Sequence, residues 1–121
     1  MLLTDEENSM ISRLHERYKL GNNPTMLEIE ESVCGCKYGA TSWTTKKEAD
    51  YISTLLPQNR TREVLEVGSG SGWPGLYLAK NYGTRVTLMD IPFSGLQIAR
   101  HRVSKEKLEK RCKVLAANAY Q

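Results

Sequence analysis

A glycine-rich loop, Gly68-Ser69-Gly70-Ser71-Gly72, follows directly after the short apolar run Val64-Leu65-Glu66-Val67. Glycine lacks a Cβ atom, so such a loop can adopt positive φ angles and lets a ligand approach its backbone closely. The run before it has the pattern of a short strand, and Pro74 suits the first turn of a helix, where no backbone donor is needed. The sequence therefore predicts a strand, a ligand-binding turn and a helix, in that order.

Strand and helix patterns continue to alternate after this turn. We expect strands over residues 64–67, 85–90 and 112–116, a helix from Pro74 toward Gly83, and a second helix from Ser94 to about Lys110. The order strand, helix, strand, helix, strand is the βαβαβ unit of a parallel sheet, whose crossovers are right-handed. The predicted fold class is α/β.

Three helices are predicted in the N-terminal half. Two of them begin at capping boxes, in which a Thr and a Glu three residues later satisfy each other's backbone N–H groups. These boxes are Thr4 with Glu7 and Thr45 with Glu48. A shorter helix is expected from Pro24 through Glu31, followed by a loop. Residues 1–60 are thus interpreted as a helical cap segment and residues 61–121 as the α/β part of the same folding unit.

The net charge and the charge distribution say less about function than the glycine-rich loop does. The chain has 17 Lys and Arg residues against 14 Asp and Glu, a net charge of +3, which is too mild to indicate a nucleic-acid partner. Between Arg100 and Lys113, seven basic residues stand against two acidic ones. This run is either a solvated helix face or a surface that steers an anionic substrate or RNA. No aromatic residue interrupts it, so base stacking has no platform, and we do not expect a nucleic-acid partner.

The cysteines and the apolar runs indicate the compartment. Three cysteines give no disulfide framework and fit a reducing environment. Cys34 and Cys36 could chelate a soft metal, but zinc sites usually have wider spacing and a second pair of ligands, so we predict no metal site. No apolar run approaches the roughly 18 residues of a spanning helix, and the first ten residues are acidic. We expect a cytoplasmic protein without a membrane partner.

The glycine spacing fits two cofactor classes. From Gly70, the sequence has the dinucleotide fingerprint G-x-G-x-x-G as Gly70, Gly72 and Gly75, which would make the chain part of an NAD(P)-binding oxidoreductase. From Gly68, the pattern is G-x-G-x-G and is preceded by Glu66. A carboxylate at that position repels a pyrophosphate but favours a cationic amino-acid group, so Glu66 argues against the dinucleotide.

Together the apolar run and the loop, residues 65–72, resemble the first motif of the class I S-adenosylmethionine-dependent methyltransferases. Residues 86–90 resemble the second strand of that family, which ends in an acidic residue that binds the ribose hydroxyls. Asp90 follows Gly68 by 22 positions, close to the interval of about 20 residues for a ribose-binding acid. Ile91 matches the position that packs on the adenine ring. The resemblance covers about half of the chain, from Arg62 onward.

Two further segments match in the same order. Residues 98–100 fall where the family carries a small residue on the next helix, and residues 114–119 resemble its third strand and loop. Where the family commonly has Gly-Asp-Ala, this chain has Ala117-Asn118-Ala119. The Asp of the family contacts the adenine amino group, and Asn118 retains a side-chain carbonyl that can accept such a bond.

The resemblance implies a Rossmann-like fold with S-adenosylmethionine as cofactor and a small-molecule methyl acceptor. Glu66 would bind the methionine amino group, the glycine loop would bind the methionine chain and carboxylate, and Asp90 would bind the ribose diol. The implied cofactor contacts are Glu66, Gly68, Ser69, Gly70, Gly72, Asp90, Ile91, Asn118 and Ala119. Trp43, before the first motif, either covers the cofactor or packs against Ala49.

The acceptor site of the family lies largely outside this sequence. Acceptor contacts and any catalytic base come from the region after a fourth strand and from N-terminal cap helices, so no catalytic residue is assigned. We expect a chain truncated after its third strand, with a non-catalytic cofactor-binding or structural module as the alternative function. The first strand would then have an open edge, and we expect a homo-oligomer formed by edge pairing or by exchange of the N-terminal helices.

Overall fold

The computed structural model describes residues 2–39, 42–57 and 63–121. These segments contain five helices and three strands. In chain order they are α1 (Asp5–Gly21), α2 (Pro24–Cys34), α3 (Lys46–Leu55), β1 (Glu63–Val67), α4 (Gly75–Tyr82), β2 (Arg85–Asp90), α5 (Phe93–Lys105) and β3 (Cys112–Ala116).

The three strands form one parallel sheet in the order β1-β2-β3. Val67 pairs with Met89 in the first ladder, and Asp90 pairs with Ala116 in the second. Each pair of neighbouring strands is joined through a helix, α4 or α5, as a parallel crossover requires. The predicted α/β class and its Rossmann-like βαβαβ order are confirmed.

Two helix ends differ from the prediction. α2 continues to Cys34 because Gly35 forms its C-cap with a φ of 77° and donates its N–H to the carbonyl of Glu31, so the loop predicted after Glu31 was wrong for residues 32–34. α5 stops at Lys105 instead of Lys110. The chain turns where Lys107 adopts a φ of 57°, which buries Leu108 against the core.

One face of the sheet carries the hydrophobic core. α4 and α5 cover it, and the buried cluster consists of Leu76, Ala79, Val86, Leu88, Ala99, Val103, Leu108 and Cys112. Strand residues alternate between faces, so Leu65, Val67 and Leu115 point the other way. All three are exposed, Leu65 by 57%. The sheet therefore has one packed face and one open face.

The N-terminal helices pack onto the helices of the α/β part, α1 against α5 and α3 against α4. Both capping boxes form as predicted. Asp50 on α3 accepts hydrogen bonds from the hydroxyls of Tyr77 and Tyr82, and the Trp73 indole donates to the Thr44 carbonyl at 2.7 Å. These bonds hold the N-terminal segment against α4 and the residues just before it.

Candidate functional site

The carboxyl ends of the three strands meet at one edge of the sheet, as they must in a parallel arrangement. The N–H groups of Gly68 and Ser69 donate to the Met89 carbonyl at 2.8 and 3.1 Å. The Ala117 N–H donates to the Asp90 carbonyl at 3.1 Å. The three segments that carry all of the predicted cofactor contacts are therefore hydrogen-bonded to one another.

Glu66 points from β1 to the packed side of the sheet, toward the start of α4. Its Oε2 atom is buried and has no hydrogen-bond partner among the described residues. Burial raises the pKa of this carboxyl to about 7, the backbone N–H of Gly75 opposes the rise, and the nearby Asp90 carboxylate adds to it. A buried acid with a free oxygen is a strong site for a cationic donor.

Asp90 closes the other side of the glycine loop. One of its oxygens accepts the Gly70 N–H at 2.7 Å and the other accepts the Ile91 N–H at 2.8 Å. This carboxylate therefore fixes the loop after β1 to the loop after β2. Each oxygen has a second lone pair, so the group can still accept bonds from a diol.

The glycines of the loop differ in what surrounds them. Gly68, Gly70 and Gly72 have φ angles of 73°, 52° and 99°, in the left-handed region that favours glycine. A Cβ added at Gly68 would meet nothing within 4 Å, whereas one at Gly70 would lie 2.7 Å from the Tyr18 hydroxyl and one at Gly72 would strike Leu76. Gly68 faces open space, and the other two make room for the protein's own side chains.

Ser69 and the residues after β3 complete the predicted set. Ser69 is buried, and its hydroxyl has no partner among the described residues. Asn118 is 7% exposed, accepts the Tyr120 N–H at 2.9 Å and donates to Oε1 of Glu7 at 3.4 Å. Ile91 is half-buried and Ala119 is exposed. The edge thus carries four groups that could contact a ligand. They are the buried Glu66 carboxyl, the Asp90 carboxylate, the backbone at Gly68 and the Asn118 amide.

Comparisons with known proteins point to one family of enzymes. Residues 64–121 match the model of a family described as a methyltransferase domain. This segment is therefore similar to methyltransferase domains. No protein of curated function is significantly similar in sequence.

Solved structures of methyltransferases share the fold of this chain at low identity. An S-adenosylmethionine-dependent methyltransferase from Thiobacillus denitrificans, solved with S-adenosyl-L-homocysteine, is 21% identical with a TM-score of 0.59, and the match covers 81% of this chain and 38% of that one. Phosphoethanolamine N-methyltransferase 2 of Haemonchus contortus, solved with S-adenosyl-L-methionine, is 22% identical with a TM-score of 0.59, covering 85% and 24%.

A putative caffeoyl-CoA O-methyltransferase from Staphylococcus aureus is 17% identical with a TM-score of 0.60, and the match covers 93% of this chain and 53% of that one. In these three comparisons the match covers between 24% and 53% of the other protein. What the chain shares with these three proteins is the fold.

Helix α1 contributes residues that sequence reasoning did not place at the methyltransferase segment. Tyr18 is 4% exposed and packs between Gly70 and Gly95, where an added Cβ at either glycine would clash with its ring or hydroxyl. Glu7, predicted only as part of a capping box, also reaches Asn118. The local signal for Tyr18 was its apolar helical spacing, which shows that it faces inward but not which loop it meets.

Trp43 does not pack as one interpretation predicted. Its side chain is 91% exposed, so the packing against Ala49 is wrong, while its role as a cofactor cover stays a prediction. Six of the seven residues of the basic run are exposed, as the solvated-face interpretation predicts, and Arg102 is the exception. The Arg102 guanidinium turns inward, donates to the Ser71 carbonyl at 3.2 Å and stacks 4.9 Å from the Tyr38 ring centre.

The cysteine pair is tied to the N-terminal helices. Cys36 donates its thiol to Glu30 at 3.5 Å, and burial, helped by the Glu30 charge, raises the pKa of Cys36 to about 12. Across residues 2–39, 42–57 and 63–121, no group of three or more His, Cys, Asp or Glu side chains could hold a metal ion. In the same segments, no helix is long and apolar enough to cross a membrane.

Proposed function

We propose that this chain binds S-adenosylmethionine at the carboxyl ends of β1, β2 and β3 and takes part in methyl transfer to a small-molecule acceptor. The observation that carries the proposal is the buried Glu66 carboxyl, whose Oε2 has no partner among the described residues and lies against Gly75 at the start of α4. An ammonium group would supply the missing donor and keep the carboxyl ionised.

The charge at the site favours an amino-acid cofactor over a dinucleotide. A pyrophosphate at the start of α4 would come close to the Glu66 carboxyl, and the Asp90 carboxylate raises the pKa of Glu66 from nearby. Like charges in a partly buried site repel strongly. A cationic amino group is instead attracted to the carboxylates of both Glu66 and Asp90.

The residues of the chain act by binding and orientation. Glu66 holds the amino end of the cofactor and Asp90 the ribose diol, while Ile91 and Asn118 border the base. The bound cofactor supplies an electrophilic methyl group on a sulfonium. Rigid placement of both ends of one molecule is the main protein contribution to such a transfer, because it aligns the reacting atoms.

Isothermal titration with S-adenosylmethionine tests the binding part. We expect Glu66→Gln and Asp90→Asn each to raise the dissociation constant about tenfold, the size of one lost charge-assisted hydrogen bond. Glu63→Gln, an exposed position on the same strand, is the matched control and should bind as the unmodified chain does. Tight binding of NADH with no binding of S-adenosylmethionine would refute the proposal.

The acceptor is proposed from two of the similar structures, which are named for methyl transfer to phosphoethanolamine and to caffeoyl-CoA. Formation of S-adenosylhomocysteine with a panel of such small molecules would support the enzyme. Cofactor binding without turnover on any acceptor would instead favour the non-catalytic binding module.

We also propose that a second copy pairs with the chain at the β1 edge. Within the described residues β1 has a neighbour on one side only, and Leu65 and Val67 beside that edge are exposed. An unprotected apolar edge strand readily pairs with another chain. Analytical ultracentrifugation should show a dimer at micromolar concentration that Leu65→Lys dissociates, and a monomer of the unmodified chain would refute the pairing.

A further inference from the structure

The amide of Asn118 is held in one orientation by two contacts. Its Oδ1 accepts the Tyr120 N–H at 2.9 Å within its own loop. Its Nδ2 faces α1 and lies 3.4 Å from Oε1 of Glu7. The end of the chain adds a second tie to the same helix start, because the Gln121 side chain donates to the Leu2 carbonyl at 3.1 Å. The loop after β3 and the start of α1 are thus joined at two points.

The other carboxylate oxygen of Glu7, Oε2, is bound within the capping box. Oε2 accepts the Thr4 N–H at 2.7 Å, and the Glu7 N–H donates to Thr4 Oγ1 at 3.2 Å. The Thr4 backbone N–H lowers the pKa of Glu7, so this side chain is a carboxylate at neutral pH. Because the capping box uses Oε2, Oε1 remains directed at the loop after β3.

This arrangement explains why an amide suits position 118. An Asp there would place a second carboxylate within about 4 Å of Glu7, and two such groups disfavour each other's ionised form. With Asn118 the loop presents a neutral amide, and the negative charge lies on α1. The acidic oxygen beside this loop therefore comes from the N-terminal helix.

We propose that Glu7 recognises the base of the cofactor. Its Oε1 accepts one hydrogen of the adenine amino group, and the free lone pair of Asn118 Oδ1 accepts the other. This inference rests on the proposed function, which places the base between Ile91 and Asn118. A base with an oxygen in place of the amino group offers two lone pairs toward Glu7 instead of two donors. Glu7 therefore excludes such a base as well as binding adenine.

The test is the ratio of affinities for S-adenosylhomocysteine and S-inosylhomocysteine, measured by isothermal titration. We expect Glu7→Gln to weaken S-adenosylhomocysteine binding and to reduce its advantage over the 6-oxo compound by about tenfold, since Gln lacks the charge but keeps an oxygen for Thr4. Glu6→Gln removes the same charge from the same turn of α1 and should leave the ratio unchanged.

Thr4→Ala separates base recognition from helix capping. It removes the side-chain half of the capping box while keeping the backbone N–H that bonds Glu7. We expect a lower melting temperature with the ratio of affinities preserved.

Three outcomes overturn the proposal. If Glu7→Gln keeps the unmodified ratio while S-adenosylhomocysteine still binds, Glu7 does not read the base, although the proposed function stands. If Glu6→Gln reduces the ratio equally, the effect is general charge and not a contact. If the unmodified chain binds neither S-adenosylmethionine nor S-adenosylhomocysteine, the proposed function and this inference fail together.

Discussion

The two faces of the sheet carry similar apolar side chains and differ in what covers them. Leu88 on the packed face lies under α4 and α5 and is buried, whereas Leu65 on the neighbouring strand points to the open face and is exposed. Two of the proposed cofactor contacts depend on the packed side, since Glu66 turns toward α4 and Gly72 makes room for Leu76.

Chemically matched residues also occur in packed and in open surroundings elsewhere in the chain. The pairs are Leu88 and Leu65, Glu66 and Glu63, Gly70 and Gly68, and Trp73 and Trp43, with the buried or packed member first. Substituting both members of a pair measures what packing adds to one residue type.

The leucine pair should show the largest contrast. Leu88→Ala leaves a cavity between β2 and its covering helices and should lower the free energy of unfolding by about 3 kcal/mol. Leu65→Ala should cost less than about 1 kcal/mol, because most of that side chain is already in water. Urea unfolding at low protein concentration measures both. Equal costs would mean that the open face is covered in solution, and a cost at Leu65 that grows with concentration would identify a second copy as the cover.

The glutamate pair should differ in pH dependence. The pKa of Glu66 is about 7 in the folded chain against an ordinary value of 4.5, so between these values the folded state holds a proton that the unfolded state has released. Stability must therefore fall as pH rises from about 4.5 to 7 and stay level above, by up to about 3 kcal/mol.

Glu66→Gln cannot titrate and should remove this decline, while Glu63→Gln should leave it in place. Chemical denaturation at a series of pH values tests the pair. A decline that persists in Glu66→Gln would assign it to another group. Cofactor affinity should move the opposite way and rise through pH 7, because the ionised Glu66 is the form that binds an ammonium group.

The glycine pair should separate the cost of a positive φ angle from the cost of a steric clash with a neighbouring side chain. Alanine at either position takes a positive φ, which costs about 1 kcal/mol. Gly70→Ala should cost about 1 kcal/mol more, because its Cβ meets Tyr18 of α1. Gly68→Ala should unfold less readily than Gly70→Ala but lose more cofactor affinity, since its methyl group enters the open side of the loop. Thermal unfolding ranks the two variants by stability, and isothermal titration ranks them by cofactor affinity. The opposite ranking in either measurement would contradict the prediction.

Local patterns predicted the elements well because capping boxes, strand alternation and glycine turns act over a few residues. The bounds of β2 and β3 and both capping boxes were predicted correctly, and so was the loop after β1. The end of α5 was not, because the turn at Lys107 is set by burial of Leu108 in a core that a helical pattern does not show.

The site was predictable only in part, for a related reason. Glu66 and Asp90 stand next to the strand ends, so their sequence positions already place them at the shared edge. Tyr18 and Glu7 come to that edge through packing of α1 on α5, and their partners Gly70 and Asn118 lie far away in the sequence. No periodicity within α1 encodes which loop it will meet.

The tryptophan pair gives the smallest expected effect on stability and a sharper one on binding. Trp43→Ala should change the free energy of unfolding by less than about 0.5 kcal/mol, because the side chain is 91% exposed, whereas Trp73 is buried and bonded to Thr44. If Trp43 covers the bound cofactor, the same substitution weakens S-adenosylhomocysteine binding several-fold, and ligand shifts the Trp43 emission to shorter wavelength as water leaves the ring. Unchanged affinity and emission would place Trp43 outside the site, because a side chain that is 91% exposed without ligand must lose water when a ligand binds against it.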